Sequence, residues 1–178
     1  MTRFHEQLKT PTTRSHDVLC GELIEQLLKK DGRFIKESYY PKSVHKNVRV
    51  EVTTEAMVRE ELRAAPIGYV DVLVSAIRDA SDDDYGYAHF AVEVKSSNES
   101  IGGAIRQLKT YEKGWVKNTP ITKYGVVEYF DARCFPQITN MVLCMPNMTC
   151  VDKTVMTLCK AAAVDVWIIS PKLQLVPR

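Results

Sequence analysis

The chain has 178 residues, 45% of them hydrophobic and 26% charged, with 24 basic against 22 acidic side chains and a formal net charge of +2. That length and balance suit one domain with a real core and exclude disorder and fibrous repeats. The near-neutral total neither suggests nor excludes a polyanionic partner, because local placement of charge matters more than its sum.

Residues 1–14 show no sustained periodicity and read as an N-terminal arm, and the start MTRFHEQLKT lacks the apolar core of a signal peptide. A helix is expected from Ser15 to Lys30, with Ser15 as N-cap, Asp17 in the first turn and Gly32 as the stop. Its inward stripe is Leu19, Cys20, Leu23, Ile24, Leu27 and Leu28. His16 and Asp17 fall within or beside that stripe, whereas Glu22 and Glu25 point away from it. Phe34 to Tyr40 and His45 to Thr53 alternate as strands do, with a turn at Pro41-Lys42. Residues 54–66, rich in helix formers and ending at a proline, read as a short helix or an extended loop.

Tyr69 to Ile77 and Tyr87 to Lys95 are strands joined by an acidic, turn-forming loop, and so form an antiparallel hairpin. Asp82, Asp83 and Asp84 in that loop are its solvated tip rather than a calcium site. A helix starts at Ser100, with Ile101, Ala104, Ile105 and Leu108 on one face and Gly114 as its stop. Gly125 to Phe130 and Met141 to Cys144 follow as strands, then a helix from Asp152 to Ala163, a strand from Val164 to Ile169 and a short tail. The expected fold class is α/β, a mixed sheet flanked by helices, in a single domain over 15–178 whose last part, 131–178, completes the sheet. No apolar run reaches the roughly 18 residues of a membrane span, so the expectation is a soluble, intracellular protein (cytoplasmic or nuclear) with no membrane partner. Cys20, Cys134, Cys144, Cys150 and Cys159 contain no CxxC pair and are expected to be reduced thiols that pack as small hydrophobes.

The chemistry lies between Gly68 and Tyr111. Asp71 interrupts the apolar strand Tyr69-Val70-Asp71-Val72-Leu73-Val74, where a buried carboxylate needs a cation, a hydrogen-bond network or a strand end. Glu93 and Lys95 close the second strand on one face, with Val94 on the other. In a hairpin Asp71 and Glu93 converge. Two carboxylates with a lysine beside them are what metal-assisted phosphodiester hydrolysis requires: hard oxygens for Mg²⁺ or Mn²⁺, and an ammonium for the attacking water and the developing charge. Gln107 and Tyr111, spaced i, i+4, share one face of the next helix. Arg106, Lys109 and Lys113 lie around it as candidate phosphate contacts, and Lys46 and Arg49 belong to a basic strand edge that can track a nucleic-acid backbone. Gly102 and Gly103 permit close approach to a phosphate or to the sheet.

Asp71, then Glu93-Val94-Lys95, then Gln107 to Tyr111 resembles the PD-(D/E)XK, or restriction-endonuclease-like, nuclease superfamily. The glutamine-to-tyrosine spacing is similar to the QxxxY motif of its RecB-like branch and of the nuclease domain of type I restriction motor subunits. The resemblance covers residues 15–130 and implies an αβββαβ core. It also implies that Asp71 and Glu93 ligate Mg²⁺ or Mn²⁺, that Lys95 is the catalytic lysine, and that Gln107 and Tyr111 position substrate and ligands. Family members often add an acidic residue from the first helix; the helical wheel nominates Asp17, with His16 as runner-up. Gly68-Tyr69-Val70-Asp71 has no proline before the aspartate, a departure from the motif's name. The later cysteines are too widely spread for the iron–sulfur cluster some relatives carry. The implied function is a metal-dependent nuclease acting on DNA rather than RNA, in some members as a homodimer. The rival from another class is an inactive module on the same fold that binds nucleic acid or a protein partner.

Overall fold

The computed structural model describes residues 15–59, 65–78, 86–97, 100–112, 114–116, 122–123, 126–127 and 138–177. The expected arm, the Asp82–Asp84 tip, Lys113 and Cys134 lie outside them.

Helix α1 (His16–Leu28) begins as expected, with the Ser15 hydroxyl accepting from the Val18 N–H and Leu19, Leu23 and Leu27 buried. It ends two residues early because Lys30 and Asp31 adopt φ of 51° and 56°. Gly32 is also left-handed, and it opens a second helix, α2 (Arg33–Tyr39), where a strand was expected. The alternation of Phe34 to Tyr40 is too short to separate the two periods, and the surroundings decide. Ile35 is fully buried, Arg33 pairs with Glu37 one turn on, and Phe34 meets the Trp167 ring edge-on. Tyr39 packs edge-on against Phe90, its hydroxyl accepting from the Trp167 indole and donating to Asp165.

Lys42–Asn47 form a 3-10 turn, not the start of a strand. Strand β1 (Val48–Arg59) then runs through half of the segment read as helix or loop, because pairing along β2 (Pro66–Arg78) outweighs its helix propensity. The hairpin of β2 with β3 (Gly86–Val94) is antiparallel, as expected. Helix α3 (Ile101–Tyr111) buries Ile101, Ala104, Ile105 and Leu108 on the anticipated face. Then come β4 (Trp115–Val116), the small ribbon β5 (Thr122–Lys123) and β6 (Val126–Val127), β7 (Asn140–Met145), α4 (Lys153–Ala161), β8 (Asp165–Ile168) and β9 (Gln174–Val176). Strand β9 occupies what was read as a tail.

The result is an α/β arrangement around a mixed seven-stranded sheet, in the order β4-β1-β2-β3-β7-β8-β9. The β3–β7 and β7–β8 pairs are parallel and the others antiparallel. One core, with Leu19, Leu23, Leu27, Ile35 and Trp167, lies between the sheet and α1–α2. The other, with Ile105, Leu108, Val155 and Cys159, lies between the sheet and α3–α4. Cys20, Cys144 and Cys150 are free thiols, and burial raises the Cys20 thiol to about 11, well out of the reactive range. Among the described residues no helix is long and apolar enough to cross a membrane.

Candidate active site

The β2–β3 ladder reaches Val72↔Val92. One residue further along β2, the Asp71 carboxylate takes over from the ladder, its Oδ2 accepting from the Val94 N–H at 2.8 Å. On the other side of β3, pairing with β7 continues to Val94↔Cys144, and the Lys95 N–H donates to the Cys144 carbonyl at 2.9 Å. Glu93-Val94-Lys95 is therefore fixed on a central strand. Its alternation places Glu93 and Lys95 together, with Nζ 3.6 Å from Glu93 Oε2.

Helix α3 supplies the next contacts. Gln107 Nε2 donates to Glu93 Oε1 at 2.8 Å and lies 3.0 Å from the Tyr111 hydroxyl, which donates to the Tyr69 carbonyl at 2.9 Å. An i, i+4 pair thus ties Glu93 on β3 to the backbone of β2 just before Asp71. The sequence reading missed what makes room for it. A Cβ on Gly68 would stand 2.4 Å from the Tyr111 hydroxyl oxygen, so only glycine lets that ring lie against the strand. An isolated glycine in a β-rich run was the available signal. Gly68→Ala is expected to displace Tyr111, cost about 1–3 kcal/mol by overpacking, and weaken any activity that depends on Gln107. A denaturant titration alongside a tyrosine-to-Tyr69 contact measured by NMR would check it; an unchanged midpoint contradicts it.

From the opposite face, His16 Nε2 approaches Asp71 Oδ2 to 3.1 Å, and this hydrogen bond raises the imidazole above its ordinary pKa. Asp17, the first choice on the helical wheel, does not enter. Its side chain is 99% exposed, and its nearest described contact is His16 Nδ1 at 3.5 Å. His16 continues the Leu23–Leu27 stripe, whereas Asp17 is turned about 100° away from it.

Glu93 is the electrostatic centre. Its side chain is 1% exposed, and burial, with repulsion from Asp71 and a hydrogen bond that the protonated Glu93 can donate to that carboxylate, raises it to about 7 despite Lys95. A buried carboxylate beside a second, partly exposed one is a place where a cation is stabilised. Among the described residues no group of three or more His, Cys, Asp or Glu is arranged to hold a metal. Asp71 and Glu93 could offer two oxygen ligands, the number with which Mg²⁺ sites completed by water and phosphate are commonly built.

The basic candidates are less concentrated than expected. Arg106 and Lys109 are exposed on α3, Lys109 pairing with Glu112. Lys46 lies in the 3-10 turn, and Arg49 is half-buried with Nε 3.1 Å from Glu51. Asp71 is level with Glu55 on β1, so Arg49 lies six residues, roughly 20 Å, along the strand from the carboxylates. The structure does not bring Lys46 and Arg49 to the site. Gly102 and Gly103 are not needed for approach to the sheet: a Cβ on either would meet only the Arg106 guanidinium, at 3.6 Å or beyond. A cavity of about 570 Å³ between α1, α2 and the Pro171–Leu175 segment is lined by Gln26, Phe34 and Lys172 but by none of Asp71, Glu93 or Lys95. No family model matches this sequence, and comparison with curated proteins gives no match.

Proposed function

We propose that this chain is a divalent-metal-dependent nuclease of the PD-(D/E)XK type that hydrolyses phosphodiester bonds of DNA. The observation that carries the reading is a buried Glu93 held by Lys95 and Gln107, next to Asp71, where β2 ceases to pair with β3. The order α1, β1–β2–β3, α3, β7, with α2 inserted, supports a restriction-endonuclease-like core.

Asp71 and Glu93 would hold Mg²⁺ or Mn²⁺, which when bound supplies charge neutralisation at the phosphate and a more acidic water. Lys95, 27% exposed, reaches both the Glu93 carboxylate and solvent, and so can orient the attacking water and balance charge developing on the phosphoryl oxygens. Gln107 fixes the Glu93 rotamer, and Tyr111 fixes Gln107. His16 meets the same Asp71 Oδ2 that accepts from the Val94 N–H. Arg106 and Lys109, exposed on α3, would meet the backbone of a bound strand.

The test is incubation of the purified protein with supercoiled, linear and single-stranded DNA and with RNA, in Mg²⁺, Mn²⁺ or EDTA. Cleavage of DNA is expected with either ion and none with EDTA. Asp71→Ala and Lys95→Ala should lower the rate by at least about 10²-fold while keeping the circular dichroism spectrum. Binding without hydrolysis in both ions would replace the reading with a non-catalytic nucleic-acid-binding module. Cleavage surviving both substitutions would move the chemistry elsewhere.

A further inference from the structure

Strand alternation inverts at one level of the sheet. On β1, Val48 and Val50 pack in the core beneath α1 and α2, whereas Ala56 and Val58 pack in the core beneath α3. Residues of equal parity share a face in a regular strand, so the pleat inverts between Val52 and Ala56. On β2 the inversion falls between Val70, in the α3 core, and Val72, in the α1 core. Close contacts fix both faces independently. A Cβ on Gly32, between α1 and α2, would meet Val50 at 2.4 Å, and one on Gly114, after α3, would meet Val58 at 2.3 Å.

The residues at the two inversions are Glu55 and Asp71. They stand opposite one another: the ladder bridges Thr54↔Val72 and Ala56↔Val70 but not the pair between them. Glu55 has φ of 48°, in the left-handed region that non-glycine residues enter rarely and at a cost. Its side chain is exposed.

The consequence concerns Asp71. In phase with Val72 it would point beneath α3; in phase with Val70 it would point beneath α1. At the inversion it does neither and lies along the sheet, where it reaches the Val94 N–H. There a single carboxylate meets His16 from the α1 side and neighbours Glu93 on the α3 side. We propose that Glu55 is a positioning residue, its left-handed backbone holding the inversion that aims Asp71 between the two faces. The catalytic consequence rests on the nuclease reading; the geometric one does not.

The test compares Glu55→Gly and Glu55→Gln with Glu55→Val, reading cleavage kinetics together with hydrogen exchange of the Val94 amide. Glycine accepts positive φ freely and glutamine as glutamate does, so both should keep kcat within about threefold and leave Val94 protected. A β-branched residue resists that conformation, so Glu55→Val should lower kcat at least about tenfold at unchanged KM. It should also expose the Val94 amide while amides deeper in the β2–β3 ladder stay protected. If Glu55→Val does not fold, Glu55→Ala against Glu55→Gly carries the same comparison. Val94 protection and full kcat in Glu55→Val (or in Glu55→Ala, where it is the variant that folds) overturn the proposal, as does a loss in Glu55→Gln, which would assign the role to the carboxylate. A wild-type protein that cleaves nothing removes the nuclease reading, while Val94 exchange still decides the positioning role.

Discussion

Glu93→Gln is expected to lower cleavage by at least about 10²-fold and at the same time to make the protein more stable. The two effects share one cause. The Glu93 carboxylate is buried against Asp71, and its pKa stands at about 7 rather than near 4.5, so above neutrality the fold carries an anion that it holds poorly. An amide of the same shape removes that charge, and its oxygen can still accept from Gln107 Nε2. Lys95 loses a partner but is partly open to water, so its ammonium is not stranded. The gain should amount to a few kcal/mol at pH 8, at about 1.4 kcal/mol for each pH unit that separates the folded from the unfolded pKa. It should vanish below pH 4.5, where Glu93 is protonated folded or unfolded. Urea unfolding at pH 8 and pH 4 measures it directly. A variant less stable than wild type at pH 8 would mean that Glu93 is held comfortably as an anion, and the argument for a cation beside it would fail.

The same pair predicts how the unmodified protein responds to pH and to metal. A carboxyl whose folded pKa is raised contributes stability that is complete below the unfolded value and is lost as pH rises through the folded one. The Glu93 contribution therefore falls between about pH 4.5 and about pH 7 and then levels off. On the proposed reading a divalent cation would bind the ionised pair and reverse the loss. At concentrations about 100 times its dissociation constant the ion adds roughly 2.7 kcal/mol, which for a chain of this size shifts Tm by roughly 5–10 °C. The shift should be large at pH 8, small at pH 5, and absent in Asp71→Asn. Thermal unfolding with and without Mg²⁺ or Mn²⁺ at the two pH values decides the matter. Equal shifts at both, or a shift that survives loss of Asp71, would place the ion elsewhere.

Much of this site was legible because short-range rules generate it. Alternation puts Glu93 and Lys95 on one face, a helical turn puts Gln107 above Tyr111, and a turn-rich loop makes the hairpin. Each is a statement about neighbours within a few residues. The misreadings have a different origin. Phe34 to Tyr40 became α2 because Ile35, Phe34 and Tyr39 find a buried site, Trp167 and Phe90, residues far along the chain. Residues 54–59 became strand because β2 offered a ladder. His16 displaced Asp17 because it continues the Leu19–Leu23–Leu27 edge of the apolar stripe, and only the packing of α1 on the sheet decides that this edge, not the one with Ile24 and Leu28, is buried.

The sequence by itself determined the residue types of the site and their pairing in two local groups, Glu93 with Lys95 and Gln107 with Tyr111. It also marked Asp71 as a carboxylate that an apolar strand cannot leave alone. Only the tertiary structure decided how these meet. The parallel β3–β7 pair holds Lys95 in place, Gly68 admits the Tyr111 ring, and α1 brings His16 to the Asp71 oxygen that also accepts from Val94. The pleat inversion at Glu55 and Asp71 belongs to the same class. Strand periodicity is a rule about regular backbone, and a left-handed residue that breaks it is held by two cores on opposite faces of the sheet, neither of which is a property of the segment it interrupts.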